Sequence, residues 1–268
     1  MSSPSGASLV ALPSRTIGRV SFRVTPLESA ISAVCDAAMN QTAGVSVHFA
    51  NAYSVAIADS DDNYARIFAD DHAVTFSDGV PITWVGQRAF PELKQQWQRV
   101  YGPDVMTGVL DRCQRDELPI SHYLLGGSSE TLAQLQAQIA RRWPDVTIAG
   151  AESPPFRPLT ANEVAAQRDR ITAAGAQLVW VGLGTPKQDF AARELADDAQ
   201  AIVLAVGAAF DFLAGTKSQA PRWMQRNGLE WIYRLATEPR RLLRRYFWGN
   251  PRFLAAAARQ PGLKRGRN

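Results

Sequence analysis

The chain has 268 residues and a mass of 29.3 kDa, enough to bury a core without disulfides or metals. Hydrophobic residues make up 46% and charged residues 20%, which excludes wholesale disorder. Two cysteines and three dispersed histidines exclude a disulfide framework and a cysteine-based zinc cluster.

Charge is distributed unevenly along the chain. Residues 216–268 hold 13 of the 29 basic side chains and only two acids, so they carry a net charge of +11, while residues 1–215 carry −7. This asymmetry indicates an anionic partner: nucleic acid, a membrane surface or a phosphorylated substrate.

The composition of residues 1–17, with serine, proline and glycine, predicts a flexible leader. This segment lacks the basic region and the longer apolar run of a signal peptide. No stretch of the chain reaches the ~18–20 apolar residues that span a bilayer. We therefore expect a cytosolic protein.

Short apolar runs alternate with longer helical patterns along the chain. In chain order, strands are predicted at 19–24, 45–49, 73–77, 121–125, 146–149, 177–181 and 201–206. Helices are predicted between them, ending near residues 39, 69, 90, 115, 142 and 174, with a further helix beginning at 187. This alternation predicts a Rossmann-like α/β domain over 18–215, with a mainly parallel sheet and helices on both faces, followed by a basic helical appendage over 216–268.

Two helix starts carry capping patterns. Thr25 is a candidate N-cap, because Pro26 occupies the first turn and Glu28 follows three residues later. Thr160 and Glu163 have the spacing of a capping box.

Ligands of an open parallel sheet bind beyond the carboxyl ends of its strands. Gly126 and Gly127 could present backbone N–H groups to a diphosphate at a helix start, although a tight turn explains them equally. Lys187 and Gln188 could donate hydrogen bonds to a sugar or phosphate, although a solvated first helical turn is the simpler interpretation. The glycine patterns match neither a Walker A loop nor a dinucleotide fingerprint.

Asp78 follows an apolar strand and precedes a glycine. A carboxylate in that position is partly desolvated and close to any substrate, so its pKa should be raised toward that of a general base. An Asp-Gly turn and an N-cap for the following helix are the alternatives. The acid pairs Asp61-Asp62 and Asp70-Asp71 fall on predicted helices and indicate solvated faces, so no metal site is expected.

Aromatic residues are interspersed with the basic residues of the appendage: Trp223, Trp231, Tyr233, Tyr246, Phe247, Trp248 and Phe253. This pattern is typical of an amphipathic helix at an anionic membrane surface. It also suits single-stranded nucleic acid, through stacking, or a helical cap with a solvated basic face. We expect Arg240, Arg245 and Arg252 to contribute to membrane attraction.

Several ordered motifs together resemble the WecG/TagA/CpsF glycosyltransferases, glycosyltransferase family 26, from about residue 18 to 253. They are the Asn51 region, SDGV from Ser77, RVYGPD from Arg99, LLGG from Leu124, PFRPL from Pro155, VGLGTPKQD from Val181 and the run from Val206 to Arg245.

The resemblance implies an inverting, metal-independent hexosyltransferase without a cofactor. It would move a hexose (HexNAc, uronic or neutral) from a UDP-sugar to a polyprenyl-diphosphate-linked sugar in cell-surface polysaccharide biosynthesis, at the inner face of the plasma membrane. The resemblance is compatible with self-association of the protein. It also implies that nucleic acid is not a partner. A non-enzymatic nucleic-acid-binding or membrane-peripheral α/β protein is the alternative.

The resemblance also implies roles for individual residues. Asp78 corresponds to the catalytic base, and the other polar active-site positions are Asn51, Arg99 and Gln188. For the nucleotide sugar we expect contacts from Gly126, Gly127, Gly184, Lys187, Gly207 and Asp211. Arginines for the diphosphate and acceptor would be Arg234, Arg241 and Arg244. The chain has Phe49 where the family often has a hydroxyl residue, and Asp189 where a glutamate is commoner.

Overall fold

A computed structural model describes residues 9–221, 223–224 and 227–260, except for the side chains of Arg241 and Arg244. The expected roles of those two arginines, and residues 1–8 of the predicted leader, therefore lie outside the described residues. The family-like motifs of the sheet and most of the appendage lie within them.

Six parallel strands form the central sheet in the order β4-β3-β8-β7-β5-β6, and a separate hairpin pairs β1 with β2. Their bounds are β1 Ser14–Ile17, β2 Val20–Arg23, β3 Val45–Ala50, β4 Ala73–Ser77, β5 Ser121–Gly126, β6 Thr147–Glu152, β7 Leu178–Gly182 and β8 Ile202–Ala205. The predicted Rossmann-like α/β fold with a parallel sheet is confirmed. Because the strands are parallel, their carboxyl ends meet along one edge of the sheet.

Helices follow the strands closely along the chain. Their bounds are α1 Leu27–Met39, α2 Ala52–Ser60, α3 Asp62–Ala69, α4 Val80–Ala89, α5 Gly102–Arg115, α6 Ser129–Arg142, α7 Ala161–Ala174, α8 Lys187–Asp198, α9 Ala209–Ala214, α10 Glu230–Thr237 and α11 Pro239–Ala258. Residues of α1, α5, α6 and α9 pack on one face of the sheet, and residues of α7 and α8 pack on the other. Helices therefore cover both faces, as predicted.

The two predicted capping patterns have different outcomes. Thr160 accepts a hydrogen bond from the Glu163 backbone N–H, and the Glu163 carboxylate accepts one from the Thr160 N–H at 2.8 Å, so this capping box is confirmed. The Thr25 cap is wrong, because α1 begins at Leu27 with Pro26 in the N-cap position. Thr25 lies one residue too early and is buried.

Residues 9–17, assigned above to the flexible leader, pack against the domain. Leu9 and Ile17 are buried, and strand β1 pairs antiparallel with β2. The hairpin turn at Gly18 has φ of +62°, and a Cβ atom there would lie 3.1 Å from Val55 and 3.4 Å from Ala256. The turn therefore touches both α2 and the appendage.

Helix α11 packs along α2 and contributes Phe253, Ala256 and Ala257 to the apolar cluster that includes the β1–β2 hairpin. Gly249 permits this approach, since a Cβ atom there would lie 3.0 Å from the Tyr53 ring. The basic appendage is thus anchored to the α/β domain by a shared apolar cluster.

Candidate active site

Polar residues lie where β3 and β4 end, side by side in the sheet. Asn51 follows β3 and Asp78 follows β4, and the Asp78 backbone N–H donates to the Ala50 carbonyl at 2.9 Å. Gly79, with φ of +117°, is the N-cap of α4 without a side-chain hydrogen bond. Asp78 therefore does not cap this helix.

Asp78 lies in a partly closed, positively charged environment. Its side chain is 19% exposed, and the Arg99 Nη2 atom lies 4.0 Å from its Oδ1 atom. The pKa of Asp78 is raised from 3.8 to about 6, mainly by burial and also by the nearby Glu230 carboxylate, against the lowering effect of Arg99, Arg234 and Arg245. A carboxylate with a pKa near 6 suits proton abstraction near neutral pH.

A second carboxylate, Glu230 at the start of α10, reaches this site from the appendage. Its Oε2 atom accepts a hydrogen bond from Arg99 Nη2 at 2.6 Å, and its Oε1 atom accepts one from the Tyr101 hydroxyl at 3.1 Å. The Arg99 guanidinium also stacks 4.0 Å from the centre of the Tyr101 ring. No local pattern in the sequence marks Glu230 for this role; its one signal is that it is one of two acids in a segment of charge +11.

Asn51 is held by the helix that it caps and by the appendage. Its Oδ1 atom accepts from the backbone N–H groups of Tyr53 and Ser54 and from Arg245 Nη2 at 3.2 Å. Because its oxygen accepts three donors, its Nδ2 group is the part that can donate to a ligand.

Arg245, predicted above to attract the membrane together with Arg240 and Arg252, instead faces the site. Arg245 stacks over the Tyr53 ring at 4.2 Å and donates to Asn51. The helical repeat turns this position toward α2, whereas Arg240 and Arg252 are exposed. Composition alone could not separate these two faces of α11.

Phe49 and Gln188 serve the scaffold beneath the site. Phe49 is buried against Phe76, with ring centres 5.9 Å apart, and supplies no polar group. The Gln188 amide is buried, donates to the Ala205 carbonyl at 2.9 Å and accepts from the Gly184 N–H at 3.0 Å. It joins the loop after β7 to the last residue of β8, and a direct role of Gln188 toward substrate remains a prediction.

The glycines at the ends of β5, β7 and β8 permit close backbone packing. A Cβ atom on Gly126 would lie 2.6 Å from the Gly182 oxygen, and one on Gly207 would lie 3.1 Å from the Gln188 amide oxygen. The Gly127 N–H already donates to Gly182 at 3.3 Å. Packing therefore explains these glycines directly, and their contact with a nucleotide sugar remains a prediction.

A cavity of about 270 Å³ lies beyond the end of β8, between α9 and α10. Its lining residues are Ala208, Phe212, Lys217, Ser218, Arg234, Thr237 and Glu238. Asp211 pairs with Lys217 at 2.9 Å beside it. The predicted Arg234 and Asp211 therefore come together here, whereas Lys187 is exposed at the start of α8.

Arg234 has a charged environment that keeps it protonated. Burial opposes its charge, but Tyr101, Glu230, Tyr246 and Asp78 outweigh burial and raise its pKa above the ordinary value. It can therefore present a permanent positive charge between the cavity and Asp78.

Three of the four acids in the pairs Asp61-Asp62 and Asp70-Asp71 have structural partners. Asp61 caps α3, Asp62 pairs with Arg19 at 2.7 Å, and Asp70 pairs with Arg193 at 3.2 Å. Within the described part of the chain, no three His, Cys, Asp or Glu side chains are grouped as a metal site would require. None of the helices described there combines the length and apolar character needed to cross a bilayer.

Comparison with models of protein families gives one match over nearly the whole chain. The model described as the glycosyl transferase WecG/TagA/CpsF family matches residues 15–268. The matched range includes both the sheet domain and the appendage.

Proposed function

Because the chain belongs to the WecG/TagA/CpsF glycosyltransferase family, we propose that it transfers a hexose from a UDP-sugar to a polyprenyl-diphosphate-linked sugar, with inversion. The observation that carries the proposal is Asp78, a strand-end carboxylate whose pKa is raised to about 6. A general base of that pKa is deprotonated at neutral pH yet strong enough to help a sugar hydroxyl attack.

The proposed reaction is a single displacement. Asp78 removes the proton from an acceptor hydroxyl, whose oxygen forms a bond to the anomeric carbon of the donor. The bond from that carbon to the UDP oxygen breaks on the opposite side, so the configuration inverts. The departing diphosphate carries the developing negative charge, which fixed cations stabilise.

Cations for the leaving group come from the appendage in this proposal. Arg234 lines the cavity beside Lys217, and its charge lies close enough to act on Asp78. Arg241 and Arg244 are proposed to act with it. Positive side chains then take the part that a metal plays in other transferases, so no cofactor or metal is proposed.

The exposed face of α11 supports docking to the inner leaflet of the plasma membrane. Leu243, Phe247 and Leu254 are exposed at spacings of four and seven, which places them on one side of the helix, and Phe247 is 88% exposed. Arg240 and Arg252 are exposed on the same helix. Apolar side chains flanked by arginines fit an anionic headgroup region, where the lipid-linked acceptor would lie.

The direct test is a screen of UDP-sugars against a synthetic polyprenyl-diphosphate sugar, with products identified by mass spectrometry. We expect one donor to give a product whose mass increases by one hexose unit, and Asp78→Asn to abolish most of it. If the wild-type protein forms no product with any donor in the panel, the proposed substrate class is contradicted.

Membrane docking has its own test. Flotation with vesicles containing anionic lipid should carry the wild-type protein upward at low salt and less of it at high salt, because salt screens the attraction. Phe247→Ser should weaken flotation. Binding to single-stranded nucleic acid with no flotation would favour the nucleic-acid alternative instead.

A further inference from the structure

Glu230 connects the appendage to the base of the proposed reaction. It lies in the first turn of α10, its side chain is 16% exposed, and 131 positions separate it from Arg99. Both of its carboxylate oxygens are occupied by one short segment of the sheet domain, through Arg99 and Tyr101. The contact is therefore specific in geometry and partly shielded from water.

Arg99 lies between two carboxylates at unequal distances. Its Nη2 atom is 2.6 Å from Glu230 Oε2 but 4.0 Å from Asp78 Oδ1. The first distance is that of a strong charge-assisted hydrogen bond, and the second leaves a gap that such a bond does not span. Stacking on Tyr101 helps to hold the guanidinium on the Glu230 side.

A close pair between Arg99 and Asp78 would be a poor arrangement for a base. A guanidinium in direct contact stabilises the carboxylate and weakens its affinity for a proton. Among the groups that face Asp78, which are Arg99 and Tyr101 from the sheet domain and Glu230, Arg234 and Arg245 from the appendage, Glu230 supplies the negative charge.

We propose that Glu230 is a positioning residue that holds the Arg99 guanidinium away from Asp78, so that the docked appendage leaves Asp78 free to take the acceptor proton. This inference rests on the proposed function for the identity of the reaction. The arrangement of the three side chains itself does not depend on which sugar is transferred.

Glu230→Gln tests the proposal because it removes the charge and keeps the shape. We expect a crystal structure of this variant to show Arg99 within about 3 Å of Asp78. We expect the acid limb of the pH profile of kcat/KM to move about one pH unit lower, with the plateau reduced about tenfold, because a less basic carboxylate is a weaker catalyst.

Two further variants separate positioning from folding. Glu230→Asp keeps the charge, so its acid limb should stay near that of the wild-type protein even where its rate falls. Glu92→Gln makes the same change of charge away from the site, where Glu92 pairs with Arg15 at 3.3 Å, and should leave the acid limb in place. Thermal unfolding of each variant checks that the fold is retained.

A titration without substrate distinguishes the two proposals. The Asp78 carboxyl carbon, assigned by its loss in Asp78→Asn, is followed by NMR in the wild-type protein and in Glu230→Gln. A lower midpoint in Glu230→Gln, together with Arg99 within about 3 Å of Asp78 in the crystal structure of this variant, supports the inference even where no UDP-sugar is turned over, in which case the proposed function fails alone. An unchanged midpoint, or Arg99 remaining 4 Å from Asp78, overturns the inference even in an active enzyme.

Discussion

Asp78 and Asp189 are both carboxylates beside the central sheet, but their surroundings differ. Asp189, in the first turn of α8, is buried and accepts from His48 Nδ1 at 3.1 Å and from the Tyr64 hydroxyl at 2.8 Å. His48 Nε2 lies 2.9 Å from Ser46 Oγ, which completes a closed network. Around Asp78, Arg99 at 4.0 Å is the cation within ion-pair distance among the side chains that the structure describes.

The difference shows why similar residues take different roles. Each oxygen of Asp189 has a buried donor, so the carboxylate ties β3, α3 and α8 together and has little capacity left for a ligand. Asp78 is less satisfied and partly exposed, and its raised pKa reflects that incomplete compensation. An unsatisfied carboxylate at a strand end is available for chemistry, whereas a satisfied one stabilises the fold.

The largest expected effect comes from removing the base. Asp78→Asn should lower turnover about 10²–10⁴-fold, because the acceptor hydroxyl loses its proton acceptor. Nucleotide binding, measured by calorimetry, should remain near that of the wild-type protein. Unchanged turnover would remove Asp78 from the mechanism.

The same variant should change how stability depends on pH. Folding raises the Asp78 pKa from 3.8 to about 6, so the folded state binds this proton more tightly than the unfolded chain. That contribution is fully present below pH 3.8 and is lost as the pH rises through 6. Between those values the wild-type protein should lose stability relative to Asp78→Asn, as measured by denaturant unfolding.

Asp189→Ala should lower stability and spare turnover, the reverse of what is expected for Asp78→Asn. It leaves His48 and Tyr64 buried without their acceptor, which should cost about 2–5 kcal/mol in the free energy of unfolding. The folded fraction should keep most of its kcat, because Asp189 is closed off from the site. A large loss of kcat without loss of stability would place Asp189 in the chemistry and break the comparison.

A smaller effect on turnover is expected from the appendage. Arg234→Gln should reduce kcat about 10–100-fold even with a soluble, short-chain acceptor, because it removes one fixed charge from the leaving group. Arg252→Gln is the matched control: Arg252 is exposed and stacks on Trp248 at 4.4 Å, so its loss should weaken vesicle flotation and spare soluble turnover. Equal behaviour of the two variants would mean that the appendage acts as an anchor alone.

The smallest effect is expected from metal removal. Turnover after treatment with EDTA should stay within about twofold, since arginines are proposed to carry the charge that a divalent ion would otherwise supply. Strict dependence on Mg²⁺ or Mn²⁺ would show that carboxylates of this chain bind metal in the complex.

The sheet and the position of Asp78 could be predicted because they depend on local patterns. Alternating apolar runs define the strands, and parallel strands place their carboxyl ends on one edge. The partners of Asp78 could not be predicted in the same way. Glu230 reaches Arg99 across 131 positions, and Arg245 turns inward by its place on the helical repeat, which charge composition does not reveal.

The sequence also does not distinguish polar residues that hold the scaffold together from polar residues that can bind substrate. Gln188 has a polar side chain at a strand end, as a substrate-binding residue would. Its amide is nonetheless occupied by the backbone of the loop after β7 and of the end of β8. Only the three-dimensional arrangement shows which polar groups are already satisfied.

The contact between α11 and the β1–β2 hairpin has a consequence for synthesis of the chain. Gly18 meets Ala256, Arg259 pairs with Asp59, and the Gln260 amide donates to the Thr16 carbonyl, so early and late segments close one apolar cluster. During synthesis on the ribosome, the cluster formed by the hairpin and α2 becomes complete only after nearly the whole chain has emerged. A nascent chain arrested before residue 250 should therefore leave this surface uncovered and available to chaperones.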